Sequence, residues 1–188
     1  IYLGGVNTVP GPEGSYIRTR WNAEQHVKNS GIPYSILEPS ILFGDRASFF
    51  TALADLAKSA PVVPVPGNGK LRFQPVWVED VVTCIVTLLA EGGKNETIPI
   101  GGPEFYSYDD LLNLIFKTLD KRRMKLHMPM PLMKLGATAM QTVLPRPPVT
   151  TAALDLFTTD NVATLDSIPK RFGFQPRSLA RDMAEHGI

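Results

Sequence analysis

Apolar and polar positions along the chain fall into two alternating rhythms. Short β-rich runs, IYLGG at the start, PYSILEPSILFG, VVPVPGNGKLRFQPVWV and ETIPIGG, are separated by longer stretches with apolar residues at three- and four-residue steps. The first such stretch, YIRTRWNAEQHVKNSG, follows a turn-rich loop ending at Gly14 and Ser15 and is closed by the stop signal Asn29, Ser30 and Gly31. In ASFFTALADLAKSA the residues Phe49, Leu53 and Leu56 form a helical stripe. Val78, Val81, Val82, Ile85, Val86 and Leu89 predict a well-buried helix, with Glu79 and Asp80 in its first turn, where the helix dipole favours negative charge. SYDDLLNLIFKTLD predicts another, capped by Ser107 with Asp109 and Asp110 beside it. The Pro- and Gly-punctuated VVPVPGNGKLRFQPVWV reads as a pair of extended pieces. Strands alternating with helices predict an α/β domain.

Beyond Lys121 the texture changes to the Met- and Pro-rich KLHMPMPLMKLGATAMQTVLPRPPVT, in which Met140, Leu144 and their neighbours predict a helix covering the core or a groove. TTDNVATLDSIPKRFGFQP reads as a loop, and RSLARDMAEHGI as a closing helix that starts near Arg177 or Ser178.

Composition narrows the classes. With 188 residues, 44% hydrophobic, 20% charged and a net charge of +1, the sequence predicts a globular domain with no pull toward nucleic acid. The single cysteine, Cys84, lies in the apolar run VVTCIVTLLA and reads as a buried, reduced thiol. No apolar run reaches the length of a membrane span and no signal-peptide pattern opens the chain, so the expected location is cytoplasmic. Opening on Ile1 in a strand-like run, the chain reads as beginning partway through a fold.

Candidate chemistry is sparse. His26, His127 and His186 have no second ligand at metal-binding spacing, so no metal is expected. There is no G-x-S-x-G elbow, P-loop or H-E-x-x-H. Gly4 and Gly5 follow a strand but do not continue into G-x-G-x-x-G, so no pyrophosphate-binding turn is expected within this chain. Tyr16 and Arg20 remain, four positions apart on one helical face. They form either a working acid/base pair or an exposed helix pair. A free phenol, with a pKa of about 10, is a poor base at neutral pH unless a nearby cation stabilises the phenolate, which Arg20 could do.

The order of landmarks resembles the short-chain dehydrogenase/reductase superfamily. The landmarks are a strand, a Tyr helix carrying Glu24, a strand breaking into EPSILFG, then RFQPVWVEDV and IGGPEFYSYDDLL. More narrowly, the chain is similar to atypical extended members: NAD-dependent epimerase/dehydratase-like proteins and the NDUFA-nine-like accessory subunits of respiratory complex I. The likeness runs from Ile1 to about Phe116 and more weakly beyond.

That resemblance implies a Rossmann-type doubly wound sheet, of which this chain supplies the second half, with a small C-terminal α/β substrate lobe. Residues 1–46 would be the partial nucleotide-binding domain, and 47–188 a mixed region holding the lobe and the remaining Rossmann elements. The family implies NAD or NADP as cofactor and a small carbonyl or hydroxyl substrate turned over by oxidoreductase or epimerase chemistry. The alternatives are a non-catalytic assembly subunit within a protein complex or an NADP-sensing regulator. Tyr16 would exchange the proton, and Arg20 would tune it and touch the nicotinamide ribose. Pro39, Ser40 and Ile41 would lie along the cofactor, with Asn7 and Thr8 near the substrate. Arg72, Phe73 and Gln74 either line the substrate cleft or simply lead into the strand that follows. Three positions depart from the family pattern. Arg20 stands where a lysine is usual, Gly4 and Gly5 where the preceding strand ends in Ser or Thr, and Glu38 where an arginine is common.

Overall fold

The structure, a computed structural model, describes residues 1–13, 15–45, 47–143 and 149–188. Gly14, Leu144 and the boundary at residue 46, all named in the sequence reading, lie outside the described residues. The chain runs β1 (Tyr2–Leu3), α1 (Tyr16–Lys28), β2 (Ser35–Pro39), β3 (Leu42–Phe43), α2 (Ser48–Ser59), β4 (Val62–Pro66), β5 (Arg72–Phe73), β6 (Val76–Trp77) and α3 (Val78–Glu91). It continues with β7 (Glu96–Ile100), β8 (Tyr106–Ser107), α4 (Tyr108–Thr118), β9 (Met124–Met128), α5 (Met130–Val143), α6 (Thr151–Asp155), α7 (Ser167–Phe172) and α8 (Leu179–His186).

A three-stranded parallel sheet, in the order β1-β2-β7, carries the first part of the fold, with Leu3 opposite Leu37 and Leu37 opposite Ile98. Parallel neighbours need crossover connections, and α1 supplies the one between β1 and β2. Three smaller sheets follow: β3 with β6 and β4 with β9, both parallel, and β5 with β8, antiparallel. The α/β class expected from the alternation is the architecture observed.

Helix ends are set by side chains. Ser15 accepts the Arg18 N–H at the start of α1, Ser178 caps α8, and Ser107 and Asp110 close a reciprocal capping box on α4. Two cores result. One packs Leu37, Ile98 and Ile100 of the parallel sheet against Val81, Cys84 and Leu88 of α3 and Ile168 of α7. The other gathers Phe43, Phe50, Val63, Phe73, Tyr108, Leu111, Leu112 and Ile115 beneath the second part of the chain. Cys84 is fully buried, and burial with Asp80 nearby pushes its thiol up to about 12. Asp80 is a structural anchor, accepting the Arg177 N–H at 2.8 Å, and burial raises its carboxyl above the ordinary range.

Several elements differ from expectation. The buried stripe of α2 is Phe50, Leu53, Ala54 and Ala57, with Phe49 and Leu56 only partly covered. Helix α3 is half-buried, since Val82, Val86 and Leu89 face outward. VVPVPGNGKLRFQPVWV holds three strands, each in a different sheet, and the Met-rich stretch supplies a strand, β9, parallel to β4, before the helix α5 that contains Met140. The expected loop before α8 contains α7, ended by Gly173 in the left-handed conformation.

Candidate functional site

The C-terminal ends of β1 and β2 open into a cleft, the position at which parallel α/β sheets bind ligands. A cavity of about 410 Å³ lies there. Its walls are the Gly4–Thr8 loop, Tyr16, Ile17 and Arg20 of α1, residues 39–42 and Phe49 of α2, with Asp155, Leu156, Thr159 and Asn161 arriving from the far end of the chain.

Tyr16 and Arg20 meet as their four-residue spacing on α1 requires. An Arg20 N–H donates to the Tyr16 hydroxyl oxygen, another donates to the Gly4 carbonyl, and the guanidinium carbon stands 5.3 Å from the centre of the tyrosine ring. Because Arg20 occupies a lone pair on that oxygen, the phenolic hydrogen is left to point elsewhere. Tyr16 is partly exposed at the cavity wall. Its backbone N–H donates to Asp155 at 3.1 Å, which ties the start of α1 to α6.

The two glycines that follow β1 have a packing reason. A Cβ on Gly5 would stand 3.0 Å from the Arg20 guanidinium carbon, and one on Gly4 would stand 2.6 Å from Glu24 Oε1. Bare backbone lets α1 lay these side chains against the strand end.

Glu24, one turn beyond Arg20, is buried with Oε1 unpartnered among the described residues. It faces Glu38 of β2, whose neighbour Leu37 points into the core on the opposite side of the sheet. Burial first, then the Glu24 charge and hydrogen bond, push the Glu38 carboxyl up to about 7 against the opposing pull of Lys28 and Arg20. A carboxyl raised in the folded state is bound to its proton there and not in the unfolded chain. Its stabilising contribution is therefore whole below the ordinary value of 4.5 and is lost as pH rises to about 7. With partial solvent contact screening the effect, the loss is about 1–2 kcal/mol. Urea unfolding between about pH 5 and 8 is expected to show this decline in the wild type and its absence in Glu38→Gln. Glu91, held down to about 2 by Arg171 and Lys94, acts below 4.5 in the opposite sense and does not overlap this window.

Of the residues named from sequence, the cavity brings together Tyr16, Arg20, Pro39, Ser40, Ile41, Asn7 and Thr8. Several are already engaged within the protein. The Ser40 hydroxyl donates to the Asn161 carbonyl at 2.6 Å and accepts the Gln74 N–H, Thr8 donates to the Gly5 carbonyl at 2.5 Å, and the Asn7 amide donates to the Asp160 carbonyl. Arg72, Phe73 and Gln74 lie away from this cavity. Phe73 is fully buried between Phe49, Tyr108 and Phe157. Gln74 is fully buried, donating to the Gly102 carbonyl and accepting the Ala163 N–H, each at 2.7 Å. Arg72 is exposed and paired with Asp160 at 2.8 Å, and the Arg72 backbone N–H first, then its guanidinium, hold the Asp160 carboxyl below its ordinary value. Asp155, Leu156 and Asn161 were not found by sequence reasoning. Asp155 lies 139 positions from Tyr16 and Asn161 lies 121 from Ser40, and no local spacing signals that return. Among the described residues, no cluster of three or more His, Cys, Asp or Glu side chains could hold a metal, and no helix is long and apolar enough to cross a membrane.

Known proteins frame this geometry. A subunit named NADH dehydrogenase [ubiquinone] 1 alpha subcomplex subunit 9, mitochondrial, from Arabidopsis thaliana is 24% identical over 151 residues, covering 79% of this chain and 38% of that protein. The crystal structure of gox2253 aligns with a TM-score of 0.65 at 20% identity, covering 99% of this chain and 66% of that one. DesIV, a dTDP-glucose 4,6-dehydratase from Streptomyces venezuelae solved with NAD and TYD bound, aligns at 0.60 and 15% identity over 98% of this chain and 57% of that one. At these identities the solved structures establish a shared Rossmann-type fold. The chain spans well under half of the Arabidopsis relative and less than two thirds of DesIV. The model of the NAD dependent epimerase/dehydratase family matches residues 7–101, which include α1 and the β2 end that build most of the cleft, and it is to this family that the chain belongs.

Proposed function

We propose that the chain is the nicotinamide-end half of an NAD(P)-binding protein acting as an oxidoreductase or epimerase on a small carbonyl or hydroxyl substrate. The observation that carries this reading is the Tyr16 hydroxyl, held by Arg20 at the wall of an open 410 Å³ cavity at the ends of β1 and β2. The residues fit the nicotinamide end of such a cofactor. Pro39 and Ile41 supply an apolar wall, Gly4 and Gly5 keep the strand end low, and Arg20 offers N–H donors at the rim. Among the described residues no glycine-rich turn fits the pyrophosphate, so this reading concerns the nicotinamide end alone.

A bound nicotinamide would supply the hydride chemistry. Tyr16 would hand its phenolic proton to the substrate oxygen in the reducing direction and take it back in the oxidising one. Arg20 compensates the charge left on the phenolate oxygen that it already touches. Asp155 fixes the first turn of α1 through the Tyr16 N–H and so holds the phenol in place.

A second reading is a cofactor-holding subunit without turnover. It is favoured by the engagement of Arg20 with Gly4 and Tyr16, by glycines where a hydroxyl residue would bind the substrate oxygen, and by the name of the Arabidopsis relative. Calorimetric titration of the full-length protein with NADPH and NADH tests the ground common to both. Saturable binding of at least one is expected, and binding of neither would sink both readings.

A further inference from the structure

Beside the cleft lies a second cavity, of about 310 Å³, between α2, β4 and α6. The two share Ser48, Phe49 and Leu156 in their walls, so they adjoin along one side. Their chemistry differs. The second cavity is walled by hydrocarbon from Leu53, Leu56, Pro64, Met133, Leu154 and Phe157, and among the described residues no charged side chain lines it. Tyr108 also lines it while only 4% exposed, and its hydroxyl makes no hydrogen bond to any described residue. An apolar cavity of this size with one unanswered hydroxyl on its wall suits a hydrocarbon that carries a polar atom along its chain. A nucleoside diphosphate would find there neither a cation for its phosphates nor amide partners for its base.

Resting on the reading of the adjoining cleft as the nicotinamide site, we infer that the ligand presented to Tyr16 carries a hydrocarbon chain that lodges in this second cavity. At about 30 Å³ for each small group, the space holds about ten of them. The ligand class is thus a medium-length apolar alcohol or carbonyl compound. Its oxygen-bearing end faces the cleft, and a polar atom along the chain meets Tyr108.

Hexanol, octanol and decanol, titrated into the full-length protein and followed by methyl NMR, test this. Each added pair of methylenes is expected to tighten binding about tenfold. Ala52 and Ala153 are small exposed residues on the rim, and Ala52→Phe combined with Ala153→Phe is expected to erase the chain-length dependence while leaving NADPH binding unchanged. Tyr108→Phe is expected to leave decanol within about twofold, since its one oxygen faces the cleft, and to weaken a decanol bearing a second, mid-chain hydroxyl about fivefold. Affinities for the three alcohols within about twofold of one another, where burial demands far more, would overturn the inference, as would wild-type decanol binding by the double Phe variant. If NADPH fails to bind while the alcohol series tightens as expected, the nicotinamide reading falls and the hydrocarbon cavity stands. If NADPH binds and the alcohols do not, the cavity inference alone falls.

Discussion

Tyr16→Phe is expected to lower NAD(P)H-dependent turnover of small carbonyl compounds by about 10²–10⁴-fold while leaving dinucleotide affinity within about threefold, because only the proton-carrying oxygen is removed. The ring stays beneath the Arg20 guanidinium, and the backbone N–H still meets Asp155, so α1 keeps its place. Arg20→Lys is the companion variant. An ammonium is a compact cation on a flexible stem, and at this position it can reach the phenol oxygen without the forked reach to the Gly4 carbonyl. Turnover in Arg20→Lys is expected to match or exceed the wild type. A steep loss of cofactor affinity in that variant would show that the guanidinium geometry is what the ligand reads. Wild-type protein that binds NADPH but reduces none of a broad carbonyl panel would favour the subunit reading.

The second large effect is on stability. Gln74→Leu roughly keeps the side-chain size but strips the buried Gly102 carbonyl and the part-buried Ala163 N–H of their partners. Losing both partners costs about 2–4 kcal/mol, and at this chain length the melting temperature is expected to fall by about 5–15 °C. Gly101 owes its identity to the same amide, since a Cβ there would stand 2.2 Å from Gln74 Cδ. Arg72→Ala, one position from Phe73, removes an exposed ion pair and is expected to cost under about 1 kcal/mol. Calorimetric melting of the two variants separates a buried tie from a surface one. Equal losses in both would contradict the buried hydrogen-bond account.

How much was legible follows from where the determinants lie. The start of α4 could be read because Ser107 and Asp110 are three residues apart and satisfy each other locally. The pairing of Tyr16 with Arg20 was equally local, a matter of one helical turn. The faces of α2 and α3 could not be fixed from their own residues. Both are apolar over much of their circumference, so periodicity allows several stripes, and the neighbours decide which is covered. For α3 they cover Val81, Cys84 and Leu88 and leave Val86 and Leu89 outside. Strand β9 alternates Met124, Leu126 and Met128 with Lys125 and His127, but it was hidden within a Met- and Pro-rich run, its partner β4 lies some sixty residues away, and Met124 and Leu126 stay exposed. The roles of Phe73 and Gln74 were open for a related reason. A buried amide and a ligand-binding amide have the same residue type, and only Gly102 and Ala163, brought in by the fold, tell them apart.

Helix α6 is five residues long, yet it answers to both cavities. Asp155 accepts from the Tyr16 backbone at the head of α1, while Leu154, its neighbour, forms part of the hydrocarbon wall and Leu156 borders both spaces. Coupling between sites is reciprocal as a matter of thermodynamics. If seating a hydrocarbon chain displaces α6, the affinity for a dinucleotide in the cleft changes by some factor, and the dinucleotide changes the affinity for the chain by that same factor. The short helix is thus a shared lever, and titrating either ligand at two fixed concentrations of the other reads its stiffness.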